Sequence, residues 1–184
     1  MVIQYFGMGM IKASVGEEVI AFAPLSKTAE IKGPSFGANV ALIPINDPNY
    51  NGVDQVTYGT REPFVINGPG EYEVNGTFIR GIASPGPDKK INIIYSVRFD
   101  DIHLVHLGAL EDENITTEAK EVIGDADILF LPQKVEKLGS RLNPKIIVPL
   151  YPLKGKDSKS VDKLVIKRKD IESKEGEIIP VWSF

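Results

Sequence analysis

The chain reads as short apolar or alternating runs broken by glycine, proline and Asn/Asp turns. Val2–Phe6, Met10–Ala13, Glu18–Phe22, Val40–Ile43, Pro63–Ile66, Glu71–Val74, Thr77–Gly81 and Ile91–Phe99 are predicted strands. Asn75-Gly76 between two of them signals a type I′ hairpin, and Asp100-Asp101 a second tight hairpin leading into Ile102–Leu107. The second half alternates. A helix is predicted over Glu113–Ile123, with Thr116 or Thr117 as its cap, then a buried strand at Asp127–Leu131. A second helix over Gln133–Leu142 stops at Asn143-Pro144, and Lys145–Leu150 is another buried strand. Lys154–Lys159 reads as a polar loop, and Leu164–Lys167 and Glu177–Val181 as closing strands. Many strands followed by β-α-β-α-β predict two packed sheets with helices outside.

Bulk properties narrow the chemistry. The 184 residues, 42% hydrophobic and 25% charged, fit one domain over residues 1–184 with a substantial core. A net charge of −4 disfavours nucleic acid and anionic membrane as partners. No apolar run approaches the ~20 residues that span a bilayer, and the N-terminus lacks signal-peptide order, so a cytoplasmic location is expected. The absence of cysteine removes disulfides, thiolate nucleophiles and cysteine-bound metals. Only His103 and His106 supply imidazole. On a strand, residues three apart face opposite sides, so the two are not expected to share a metal; one should be buried and hydrogen-bonded, the other near the surface.

Each remaining candidate carries two readings. Asp47, Asn49 and Tyr50 follow a buried strand, where α/β sites gather, yet Asn-Asp-Pro-Asn is also ordinary turn chemistry. Asn67-Gly-Pro-Gly-Glu71 is either a close approach to a ligand or a sharp turn, and is not a phosphate-binding loop. Ser84–Lys90 is read as a solvated proline-rich loop. The lysines from Lys154 to Lys169 alternate with acids and lack interleaved aromatics, as in a solvated face. No serine lies in a Gly-x-Ser-x-Gly elbow, and none has a recognisable partner set. Trp182 and Phe184, or sheet edges, could join two copies of the chain; alternatively the aromatics pack on their own core.

Several segments together resemble the metallo-β-lactamase fold, in its compact bacterial branch of metal-dependent hydrolases. The opening Val2–Gly7 run, Ile66–Ile82, His106-Leu-Gly-Ala-Leu110, Gly124–Pro132, Pro144–Pro149 and Ser160–Arg168 carry the resemblance in order along nearly the whole chain. It implies a four-layer αββα sandwich of two mixed sheets, an α/β (α+β) architecture, with a metal site on loops at one edge. In the family one or two metal ions there activate a water.

The residues that would bind those ions are largely missing. The family's His-x-His-x-Asp-His loop, anchored on Pro48, falls on Ile45, Asp47, Asn49 and Tyr50, with Pro44 for the preceding Thr. The middle histidine would fall near Ser84–Pro87, the bridging aspartate on Ala109 and the last histidine on Tyr151. His106 persists, but in the family pattern it precedes the bridging aspartate rather than serving as a ligand. A catalytic zinc takes about three protein ligands. The expectation is therefore a metal-free member with no cofactor and no catalytic residue, acting as a binding or structural module. The alternative is a divalent-metal hydrolase with an oxygen-rich site at Asp47, Asn49, Asp88 and His106.

Overall fold

A computed structural model describes residues 1–151 and 160–183. The strands are β1 Val2–Tyr5, β2 Ile11–Val15, β3 Glu18–Phe22, β4 Val40–Leu42, β5 Phe64–Ile66, β6 Gly70–Val74, β7 Thr77–Pro85, β8 Ile91–Phe99, β9 Ile102–His106, β10 Ile128–Leu131, β11 Ile146–Pro149, β12 Leu164–Val165 and β13 Glu177–Ile178. Among the described residues two α-helices interleave with the later strands, α1 Thr117–Gly124 and α2 Lys137–Leu142.

Two mixed sheets result. One has the order β12-β1-β2-β3-β4-β5 and the other β13-β11-β10-β9-β8-β7-β6. The expected two-sheet sandwich is observed. Alternation sends Ile3, Tyr5, Phe22 and Leu42 from the first sheet, and Ile93, Tyr95, Leu104 and Phe130 from the second, into one shared core. Burying a side chain such as Phe22 or Phe130 contributes about 2–3 kcal/mol. The Tyr95 hydroxyl lies 2.9 Å from both the Ile43 and Ile66 carbonyl oxygens, so its one proton ties the two sheets together.

The outer layers differ. Beyond the second sheet, α1 and α2 bury Ala119, Ile123 and Leu138 against Val105, Leu129 and Ile147. Beyond the first sheet the covering layer is irregular: Leu25, Ala38 and Val56, from loops and a 3-10 turn at Val53–Gln55, close over Val19, Ala21 and Ala41.

The turns follow their residues. Asn75 and Gly76, and Asp100 and Asp101, all take the positive φ of type I′ turns. Thr116 caps α1 by accepting from the Ala119 N–H at 3.1 Å. Two boundaries depart from expectation. β7 runs through Gly81 to Pro85, so part of Ser84–Lys90 is strand. At Gly81 a side chain would meet the Gly68 carbonyl at 2.7 Å, so the glycine admits the 67–70 turn rather than ending the strand. Gln133–Val135 is a 3-10 turn, and α2 begins only at Lys137. There Gly139 lets the helix approach Leu131 and Ile147, where a Cβ would come within 2.9 Å of each. Finally, Trp182 packs back on the chain, edge-on to Tyr5 at 5.0 Å. Phe184 and the Lys154–Lys159 loop lie outside the described residues.

Candidate functional site

One cleft collects the segments that leave β4, β9, β10 and β11, as crevices at strand ends do. Its volume is about 510 Å³. The 43–52 segment after β4 supplies Asp47, Asn49 and Tyr50; the turn after β9 supplies Gly108, Ala109 and Glu111. Met8 and Gly9 of the β1–β2 turn, Pro132 and Lys134 beyond β10, and Leu150 beyond β11 complete it.

Most polar groups of this cleft are engaged with one another. Asp47 accepts the Asn49 N–H at 3.0 Å, an Asx turn, and Lys90 stands 3.9 Å from its other oxygen. The Asn49 side chain accepts from the Glu30 N–H and donates to the Glu30 carboxylate, each at 2.9 Å. Lys134 pairs with Glu111. Burial raises the Tyr50 pKa, and the nearby Asp47, Glu111 and Glu30 carboxylates raise it further, so the phenol stays neutral. Burial likewise raises Tyr151, with Glu136 adding to the effect.

His106 lies beneath this cleft, fully buried. Its Nδ1 accepts the Gly108 N–H at 3.0 Å, which leaves Nε2 to donate to the Gly9 carbonyl at 2.8 Å. The ring stacks on Phe22 and tilts against Phe130, with centroids 5.5 and 5.9 Å away. Burial depresses its pKa to about 4, partly opposed by the bond to Gly9. A neutral imidazole with both nitrogens committed is a floor, not a ligand.

Asn92 was not singled out in the sequence, yet it organises the same wall. Fully buried, it accepts from the Ala109 N–H at 2.7 Å and donates to Ser84 and the Leu107 carbonyl. At Gly108 (φ +62°) a Cβ would sit 2.3 Å from the Asn92 side-chain oxygen, so the turn requires glycine there. The signal in the sequence was a lone polar residue inside the apolar run Ile91–Ile94.

Of the residues aligned with family ligands, Asp47, Asn49, Tyr50 and Ala109 meet in this cleft, and Tyr151 follows its Leu150 wall. Ile45 is buried and turns toward a separate apolar groove with Ile43, Val65 and Ile91. Asp88 sits on the turn Pro87–Lys89 and, unlike Pro87, does not line the cleft. The oxygen-rich set Asp47, Asn49, Asp88 and His106 therefore does not converge. Among the described residues, no group of three His, Asp or Glu side chains could hold a metal ion. The donors present do not fit a zinc or two-metal centre, which needs about three ligands per ion.

The second histidine corrects an expectation. His103 faces the opposite side of β9, as the strand period requires, but it too is buried, at 4% exposure. The turn joining α1 to β10 folds over it: its Nδ1 lies 2.9 Å from the Asp125 carbonyl, and its backbone N–H donates to Asp127 at 2.9 Å.

Residues 2–151 match the model of the beta-lactamase superfamily domain. The chain belongs to the β-lactamase superfamily. Among solved structures, the superfamily fold is shared with a candidate zinc-dependent hydrolase of the metallo-β-lactamase superfamily from Thermotoga maritima (TM-score 0.70, 23% identity, 99% of this chain and 97% of that one). A candidate metal-dependent hydrolase from Parabacteroides distasonis gives 0.66 at 18% identity, covering 99% and 93%. A metallo hydrolase from the archaeon Ignicoccus hospitalis gives 0.62 at 12%, covering 99% and 94%. At these identities the likeness shows the fold alone. No curated protein matches the chain. No helix of the described residues is long and apolar enough to cross a membrane.

Proposed function

We propose that this superfamily member has given up the metal chemistry of its fold and uses the vacated edge as a non-catalytic binding cleft, within one cytoplasmic domain. One observation carries the reading. Of the cleft positions aligned with the family's ligands, Asp47 alone keeps a strong donor; the others are Asn49, Tyr50 and Ala109, and His106 below has no free nitrogen. The relatives named as metal-dependent hydrolases set the contrast.

The cleft still has the size of a small-molecule site, which ranges over roughly 300–1,000 Å³. Met8, Leu110, Pro132 and Leu150 offer an apolar wall, and Glu30, Asp47 and Glu111 a carboxylate rim. Metal analysis of protein purified without chelator tests the reading. Zinc, iron and manganese should each be far below one equivalent. A full equivalent that disappears in Asp47→Ala would overturn it and favour the oxygen-ligand hydrolase.

A further inference from the structure

On the outward face of the second sheet, away from the family's edge, Ser96 Oγ lies 2.7 Å from His103 Nε2. The direction of this bond follows from the other side of the ring. The Asp125 carbonyl can only accept, so the nitrogen facing it, Nδ1, carries the proton. A neutral ring then has only a lone pair at Nε2, and the Ser96 hydroxyl must donate to it. Burial keeps the imidazole below its ordinary pKa and the Arg98 charge lowers it further, against the Asp125 bond, so the ring is neutral near pH 7. A hydroxyl donates to a neutral base whose far nitrogen is held by a fixed acceptor, which is the arrangement that activates a serine.

The pair opens on a cleft of about 530 Å³ lined by Phe78, Arg80 and Arg98. The β7–β8 register sets Phe78 beside Arg98 and Arg80 beside Ser96, and the β8–β9 register sets Arg98 beside His103. Phe78 is 58% exposed, although it is a large apolar ring. Arg80 is held by Glu118 and Glu71, whereas among the described residues Arg98 is in no ion pair. Arg98 lies two residues from Ser96, on the same face and about 7 Å along the strand.

We infer that Ser96 and His103 form a second, metal-independent site, a nucleophile and its base, that takes a small aryl or acyl ester resting on Phe78 beside Arg98. Ser96 Oγ attacks the ester carbonyl carbon while His103 Nε2 takes the hydroxyl proton. The oxyanion develops next to the Arg98 guanidinium. The bond to the leaving alcohol breaks as His103 returns the proton to it. Water then attacks the acyl carbon, His103 takes its proton, and Ser96 departs with that proton as the acid is released. This goes beyond the binding role of the family's edge and does not rest on it.

The test treats the full chain with a fluorophosphonate and, separately, with p-nitrophenyl acetate, and maps adducts by peptide mass. The expected result is one phosphonyl adduct on Ser96, absent in Ser96→Ala. Adduct formation should be at least about 100-fold slower in His103→Gln, the loss typical of a missing general base. Labelling and ester hydrolysis should persist in chelator. No Ser96 adduct on the wild-type protein overturns the inference, even if a variant fails to fold. So does full hydrolysis by Ser96→Ala, an undiminished rate in folded His103→Gln, or loss of activity on chelation.

Discussion

The two histidines of β9 stand three residues apart and live in opposite worlds. His106 points between the sheets, against Phe22 and Phe130, with both nitrogens spent on backbone partners. His103 points outward to a polar platform of Ser96, Arg98 and the α1–β10 turn. The same strand makes one imidazole a packing element under the family's edge and gives the other a hydroxyl and an open cleft. What an imidazole can do here is decided by which face of the sheet it joins, not by its being in the family's His-x-Gly segment.

The comparison can be broken most directly at His106. His106→Ala removes a fully buried ring and orphans the Gly108 N–H and Gly9 carbonyl, so unfolding in urea should show a loss of about 3–4 kcal/mol. Acid gives the next largest effect. His106 titrates near 6.5 when unfolded and near 4 when folded. Between those values the unfolded chain binds the extra proton, so its contribution is intact above pH 6.5 and is lost as pH falls to 4. The loss amounts to about 3 kcal/mol. His106→Gln should flatten that limb of the stability–pH curve; an unchanged limb would show that the buried ring is not its source.

The outward side is sharpened by smaller effects. Asp127, 4% exposed, accepts the His103 backbone N–H and pairs with Lys145 at 3.2 Å and with Arg168. Burial alone would raise its pKa, but that bond and the two cations leave it lowered. Asp127→Asn should therefore cost about 2 kcal/mol by thermal melting. Ser96→Ala, at the cleft where water can replace the hydroxyl, should cost under about 1 kcal/mol while abolishing labelling. A large stability loss in Ser96→Ala would instead mark the pair as architecture.

Much of this was legible residue by residue. Asn75-Gly76 and Asp100-Asp101 announce their turns because few residues tolerate positive φ. Thr116 announces α1 because its hydroxyl satisfies an end N–H. The Pro48 anchor picked out Asp47, Asn49 and Tyr50, and the His106-Leu-Gly segment Ala109; these four line one cleft, while Ile45 from the same anchor does not. Less could be read where distant chain segments decide. Gly81 looks like a strand end but is a contact with Gly68, and Ser84-Pro85 pair with Asn92 and Ile91. Ser96 had no visible partner because its base lies across a hairpin, although Phe99-Asp100-Asp101-Ile102 sets the register that joins them.

By itself the sequence determined strand runs, turn types and the face alternation of His103 and His106. These depend on local sterics and side-chain chemistry, which need no partner. Only the tertiary structure decided that the layer over the first sheet is irregular, that both histidines are buried, and that Asn92 holds the Ala109 turn. It also joined Ser96 to His103. Burial and hydrogen-bond partners belong to pairs of segments far apart in the chain, and the packing of the two sheets settles them.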